Sequence, residues 1–139
     1  MTHRHLLSSL AILSLTCAAV LNADPIPDSY RQNGWFVGTQ AYTFKEFTAF
    51  EAIAKTKEAG GNMIEFYPGQ KMKPDSDTKV HHTMSEEAMN ELKAECARQG
   101  VRPVNYGVVG AKNGEEVRAI MLFAKKMELY SVCTESTEQ

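Results

Sequence analysis

Hydrophobic and polar positions along the chain follow two periods in turn, and this predicts alternating strands and helices. Short runs of aromatic and β-branched residues predict strands, whereas apolar residues three or four positions apart predict amphipathic helices. The resulting order is strand, helix, strand, helix, strand, helix, strand. The predicted strands cover residues 35–43, 62–67, 101–109 and 129–134.

Capping signals set the starts of the three predicted helices. A Thr or Asn followed three positions later by Glu is typical of a capping box, in which side chains satisfy the first free backbone N–H groups. The first helix has two such signals, at 43–46 and 48–51, and the others begin at 83–86 and 113–116. Glycines end the first two helices, at residues 60–61 and 100.

Strands that alternate with amphipathic helices predict a parallel sheet, because parallel neighbours need a crossover connection. Two architectures fit this order, the (β/α)8 barrel and the doubly wound sheet. A nucleotide-binding doubly wound fold usually has a glycine-rich loop after its first strand. Here that segment is QAYTFKEF, without glycine, which favours the barrel.

The first 23 residues match a secretory signal peptide. A short basic start precedes an apolar run of about 15 residues, shorter than the roughly 20 that a membrane-spanning helix needs. We therefore predict a signal peptide over 1–23, a linker over 24–33, a folded domain over 34–139, and no stable membrane span. The exported protein is expected in the periplasm or outside the cell.

Composition and charge limit the classes of molecule that the protein is expected to bind. The chain has 139 residues, of which 43% are hydrophobic and 23% charged, as in ordinary globular proteins. Its formal net charge is −2, without the basic excess that binding to a phosphate backbone requires. We therefore do not expect the protein to bind nucleic acid.

The strand ends together resemble a known family. The runs GTQAYTF, IEFYPGQ, VNYGVVG and FAKKMELYSVCTE follow one another in this order and spacing. They resemble the first half of the sugar phosphate isomerase/epimerase family, the xylose isomerase-like TIM barrels, over roughly Gly34 to Glu135. The resemblance implies an α/β fold that is part of a (β/α)8 barrel, with about four parallel strands and three helices.

The resemblance also implies a reaction. Members of this family act on a sugar or sugar phosphate by metal-assisted proton or hydride transfer next to a carbonyl. A divalent metal (Mn, Mg, Zn or Co) is expected in the complete protein. Most metal ligands and catalytic acids of the family follow strands five to eight, so no catalytic residue is assigned, and we expect the isolated chain to be an inactive fragment.

Candidate site residues follow from the rule that barrel enzymes place functional side chains at the carboxyl ends of their strands. Glu65 interrupts an apolar run, where a carboxylate needs a substrate hydroxyl or an internal ion pair. Glu135 stands where the family commonly shows Ser-Glu-Pro, although this chain has Thr-Glu-Ser. The tyrosines could stack on a sugar or cap a layer of the barrel. The candidate substrate-binding residues are Gln40, Tyr42, Glu65 and Tyr106, the candidate metal ligand is Glu135, and Tyr67 and Asn105 occupy the same strand ends.

The remaining reactive side chains are interpreted as structural. His81 and His82 are adjacent in a polar stretch, so we expect them to point apart as a solvated pair. Cys96 and Cys133 are expected to be buried and unbridged, because one lies outside the sheet and the other within it. The polar stretch 68–83 is long enough to predict a functional lid or a disordered insert.

Two functional hypotheses remain open at this point. The first is a sugar or sugar-phosphate isomerase or epimerase of which this chain is the N-terminal half. The second is an exported, non-catalytic sugar-binding module, or a half-barrel that closes its ring as a homodimer. Both imply a small sugar or polyol as the ligand.

Overall fold

The computed structural model describes residues 26–135. They form six short strands, three helices and two 3-10 turns, which come in the predicted order after an extra hairpin. The strands are β1 Arg31–Gln32, β2 Trp35–Phe36, β3 Gly38–Gln40, β4 Met63–Phe66, β5 Arg102–Tyr106 and β6 Ser131–Val132. The helices are α1 Ala49–Glu58, α2 Glu86–Gln99 and α3 Gly114–Lys126, and the 3-10 turns are Asp28–Tyr30 and Ala41–Phe44.

The main sheet contains four parallel strands in the order β3-β4-β5-β6. This confirms the predicted α/β class, with a four-strand parallel sheet and three helices. Each crossover advances by one strand in the same direction, and right-handed connections of this kind place all their helices on one face. A doubly wound sheet instead reverses its strand order at a switch point. The strands between residues 26 and 135 contain no such reversal.

A single hydrophobic core lies between this face of the sheet and the three helices. Ile64 and Phe66 of β4 contribute from the sheet and are almost fully buried. They belong to one cluster with Ile53 of α1, Leu92 of α2 and Phe123 of α3. Burying each such side chain contributes roughly 1.5–3 kcal/mol. The core therefore fixes which residues of each strand face the helices.

A buried polar contact fixes β3 against α1. The Thr56 side chain is fully buried, and its hydroxyl donates to the Ala52 carbonyl at 2.8 Å. Because that proton is used, Thr39 is the donor in the 2.6 Å contact between the Thr39 and Thr56 hydroxyls. Thr39 therefore faces the helices, and the next residue of the strand projects from the opposite face.

The start of the domain differs from the prediction. Part of the predicted linker pairs as β1 with β2 in an antiparallel hairpin. Asn33 and Gly34 make the turn at φ 50° and 86°, the conformation that an Asn-Gly pair favours. The predicted strand 35–43 is consequently divided into β2, β3 and a 3-10 turn.

The hairpin packs at the amino end of the main sheet. The Asn62 amide, just before β4, donates to the Tyr30 carbonyl at 2.8 Å, and Gln32 donates to the Gly60 carbonyl at 2.9 Å. The Arg102 guanidinium at the start of β5 lies 5.7 Å from the centre of the Tyr30 ring. The amino ends of β4 and β5 are thus covered.

Two of the three predicted helix starts are confirmed. Thr48 and Glu51 form a complete capping box at α1, and the Asn113 side chain accepts from the backbone of Glu116 at α3. The prediction for α2 was wrong by two residues, since Ser85 is its cap. The Thr83 hydroxyl instead forms a hydrogen bond with Nδ1 of the His81 ring, at 2.8 Å.

The long connection between β4 and α2 is packed against the rest of the fold, so the expectation of a disordered insert is wrong, whereas a lid function stays a prediction. Met72 and Val80 are buried, as is the polar Gln70. The carbonyls of Lys71 and Met72 accept the backbone N–H groups of Ala49 and Phe50, at 2.8 and 3.1 Å. The connection therefore completes the hydrogen bonding at the start of α1.

The predicted signal peptide and the last four residues lie outside the described part of the chain. No helix between residues 26 and 135 has the length and apolar character needed to cross a bilayer.

Candidate functional site

Four polar side chains lie side by side across the main sheet, one from each strand. The strand register pairs Gln40 with Glu65, Glu65 with Asn105, and Asn105 with Ser131. Paired residues of parallel strands project from the same face. These four residues are called the polar row below. It lies at or near the carboxyl end of β3, β4 and β5 and at the start of the short β6.

The polar row occupies the face that the helices do not cover. In β3 and β4 the preceding residues, Thr39 and Ile64, face the helices, so alternation directs Gln40 and Glu65 away from them. Gln40, Glu65 and Asn105 are half-buried, and Ser131 is exposed. The row is thus held by the sheet but open to a ligand.

Hydrogen bonds orient the members of the row. The Gln40 amide donates to Glu65 Oε1 at 2.7 Å, and the Ser131 hydroxyl donates to Asn105 Oδ1 at 3.0 Å. No ion pair in residues 26–135 involves Glu65, so of its two predicted partners the internal ion pair is not found, and the Gln40 amide contacts the carboxylate instead. A carboxylate can accept about four hydrogen bonds, and one is used here. Glu65 therefore keeps acceptor capacity for a ligand.

An aromatic pair lies just past the carboxyl ends of two strands of the polar row. Tyr42 and Tyr67 follow β3 and β4, with ring centres 5.1 Å apart and planes at 78°. Tyr42 is 53% exposed. Partial burial, with Tyr42 and Glu46 nearby, raises the pKa of Tyr67, so its hydroxyl stays protonated at neutral pH. The pair offers apolar ring surface beside hydrogen-bonding groups.

The structure brings together some of the predicted site residues and separates others. Gln40 and Glu65 belong to the polar row, and Tyr42 lies beyond it. Tyr106 faces the helices instead, fully buried, with its ring 4.8 Å from that of Phe123. Burial raises the pKa of Tyr106 to about 12, an effect that the His82 backbone partly opposes. Glu135 is the last described residue and is exposed.

Sequence reasoning missed Ser131 and did not select Asn105 as a binding residue. The only signal for either was a polar residue in a predicted strand. Their alignment with Glu65 depends on the register, which shifts between β4 and β5 at Ile64 and Glu65. That irregularity turns Asn105, and not its neighbour, toward the row.

The histidine pair is packed rather than solvated, so that prediction was wrong. The two rings stack with centres 4.0 Å apart, and only 4% of the His82 side chain is exposed. Its Nε2 lies 3.8 Å from Glu116 Oε1. Burial lowers the pKa of His82, and the neighbouring His81 lowers it further, whereas the Glu116 carboxylate raises it. His82 is therefore neutral at pH 7.

Cys96 and Cys133 are unbridged, as predicted, but only Cys96 is buried. Cys96 lies in the core, and burial raises its pKa to about 12. Cys133 is exposed, contrary to the expectation, because it follows the edge strand β6.

The described residues do not fit a complete metal centre. Between residues 26 and 135 no three His, Cys, Asp or Glu side chains lie close enough together to hold an ion. The expected metal ligand, Glu135, is exposed at the end of this range. No reaction step through a metal is derived from these residues, and the expected metal stays a prediction for the complete protein.

Comparisons with known proteins identify a similar structure but no function. No family model matches the chain, and no curated protein matches it. The crystal structure of an uncharacterized protein from Parabacteroides distasonis is similar, with a TM-score of 0.69 and 26% identity. The match covers 72% of this chain and 42% of that one, so this chain spans about two fifths of its length. The similarity supports the α/β fold.

Proposed function

We propose that the polar row and the adjacent aromatic pair bind a sugar or polyol. The observation that carries this proposal is the alignment of four hydrogen-bonding side chains on the helix-free face of the sheet. A buried or half-buried row of this kind costs stability unless its groups are paired. A ligand that offers several hydroxyls in a line would complete that pairing.

The chemistry of the row matches a ligand with several hydroxyls. A hydroxyl both donates and accepts, and amide, carboxylate and hydroxyl side chains together supply both functions. Neighbouring parallel strands are about 4.8 Å apart, so the row presents a polar group at regular intervals. The Tyr42 and Tyr67 rings add a surface for the apolar C–H groups of a sugar ring.

The wider form of the proposal places these residues in part of a (β/α)8 barrel with isomerase or epimerase activity. Its support is the resemblance of the strand ends and the consecutive order of the four parallel strands. In such barrels the carboxyl ends of the strands carry the site. Glu65, already oriented by Gln40, would accept a substrate hydroxyl there.

Of the two forms, a non-catalytic sugar-binding module is the one that the described residues support most directly, and its export stays a prediction from the first 23 residues. Binding needs only the polar row and the tyrosines, whereas isomerisation needs catalytic acids and metal ligands that these residues do not supply together. We accordingly expect no turnover from the isolated chain. Clear conversion of a ketose with added Mn²⁺ would refute that expectation.

Isothermal titration calorimetry with a panel of pentoses, hexoses and their polyols tests the binding proposal. We expect a preferred ligand whose affinity falls about tenfold in Asn105→Ala, since one lost hydrogen bond in a binding site costs about 1.4 kcal/mol. Asn90→Ala, at an exposed position of α2, is the matched control. The proposal fails if no compound in the panel binds, or if both substitutions weaken binding equally.

A further inference from the structure

A small pocket lies at the amino end of the sheet, on the side of the helices. It is formed by α2, the start of β5 and the turn that follows α3, and its volume is about 350 Å³. Ala97, Val101 and Met127 supply apolar surface to it. The polar row lies toward the other end of the strands and on the helix-free face. The pocket is therefore separate from the proposed sugar site.

The guanidinium of Arg102 is the feature that indicates a ligand in this pocket. Of the four arginines between residues 26 and 135, Arg102 alone is half-buried. The exposed Arg31 and Arg98 each form an ion pair, at 2.7 and 2.6 Å. Within the same range no carboxylate pairs with Arg102. Because a half-buried cation without a counter-ion costs free energy, an anion in the pocket would be stabilising.

The aromatic ring beside this cation is held in place by hydrogen bonds. The Arg102 guanidinium lies 5.7 Å from the centre of the Tyr30 ring, and both residues line the pocket. The Asn62 amide donates to the Tyr30 carbonyl, and the Asn62 carbonyl accepts the backbone N–H of Arg102, both at 2.8 Å. A site held in its binding geometry loses less entropy when a ligand enters.

Lys93 and Glu128 line the same pocket as an ion pair. Lys93 Nζ lies 3.3 Å from Glu128 Oε1 and donates to the Lys126 carbonyl at 3.0 Å. Glu128 has φ 57°, a left-handed conformation that is costly for a residue with a side chain, and such strained residues often mark functional sites. Lys93 is thus neutralised by Glu128, so the pocket carries one net positive charge, on Arg102.

We propose that this pocket binds a small organic monocarboxylate with an apolar body. The planar guanidinium of Arg102 has the donor geometry that a carboxylate accepts. The apolar surface of Val101 and Met127 would cover the body of the ligand, as in other small-molecule sites. One net positive charge favours a monoanion over a dianionic phosphate ester, whose additional charge the Glu128 carboxylate would repel.

Titration of the isotope-labelled chain with benzoate, followed by two-dimensional NMR, tests this proposal. Benzamide has the same ring without the charge, and phenyl phosphate has the ring with a dianionic group. We expect benzoate to shift the backbone amide signals of Val101 and Met127 in a saturable way, and each of the other compounds to bind at least tenfold more weakly. The affinity for benzoate should also fall as NaCl is added, because salt screens the charge of Arg102.

Matched variants assign the binding to this cation. Arg102→Gln should weaken benzoate binding at least tenfold, whereas Arg118→Gln, at an exposed position of α3, should leave it unchanged. Since Arg102 has no counter-ion to lose, its variant should melt no lower than the parent, and this separates a binding defect from a folding defect. Asn105→Ala alters the polar row and should bind benzoate as the unchanged chain does.

Several outcomes would overturn the proposal. They are absence of benzoate binding, equal affinity for benzamide or phenyl phosphate, and unchanged benzoate affinity in Arg102→Gln. Signal shifts confined to the polar row would overturn it as well, because they would place the ligand on the opposite face of the sheet. The shifts are measured on the unchanged chain, so they decide the location of the ligand even if Arg102→Gln does not fold.

Discussion

The hydroxyl contact between Thr39 and Thr56 gives a direct test of how the sheet presents its polar row. Thr56→Val keeps the shape of the side chain and removes the hydroxyl. The substitution deletes the acceptor of the Thr39 proton and the bond to the Ala52 carbonyl. A buried hydrogen bond contributes about 0.5–1.5 kcal/mol net, and the group left unpaired adds a desolvation cost. We expect a loss of about 1–2 kcal/mol in the free energy of unfolding.

A double-mutant cycle separates this contact from other effects of the substitution. Thr39→Val removes the donor, and the double variant removes both partners, so its loss should be smaller than the sum of the single losses. We expect a coupling energy of about 1 kcal/mol, within the range for residues in contact. Urea unfolding followed by circular dichroism measures all four proteins. Additive losses, or a neutral Thr56→Val, would refute the assignment of this hydrogen bond.

Three further predictions concern the packing around the site. The free energy of unfolding should fall as the pH drops below about 6.5, because the His82 side chain then binds a proton in the unfolded chain, while its burial disfavours the protonated form in the folded chain. Urea titrations at several pH values measure this dependence, and His82→Gln should reduce it. Gly38→Ala should lower the free energy of unfolding by about 1–3 kcal/mol, since the added Cβ would lie 2.4 Å from a β4 carbonyl oxygen. In the control variant Gly114→Ala the added Cβ meets no atom within 4 Å, so this variant should melt no lower than the parent. A thiol reagent followed by peptide mapping should modify exposed Cys133 much faster than buried Cys96, and equal rates would contradict the described packing.

Hydrophobic periodicity was sufficient to predict the strand and helix order because each element buries one clear apolar side. The periods also gave the parallel direction, since every pair of main strands is separated by a helix. The hydrophobic periods did not predict that the first strand divides into β2, β3 and a 3-10 turn. Asn33 and Gly34 favour a tight turn, but the pairing of β1 with β2 depends on contacts with the sheet's amino end.

The polar row was only partly predictable. Gln40 and Glu65 were identified as polar residues at strand ends, and the structure places them together. Tyr106 looked equivalent in the sequence, but alternation along β5 turns it toward the helices. Ser131 was missed because its role depends on register across four strands, which local periodicity does not determine.

The β1–β2 hairpin has a practical consequence for experiments on binding. It brings the amino-terminal part of the described chain to the end of the sheet remote from Tyr42 and Tyr67. A tether or fusion partner attached ahead of Tyr30 would therefore leave from the base of the domain. Surface immobilisation through that point should keep the rim that carries the tyrosines facing the solution.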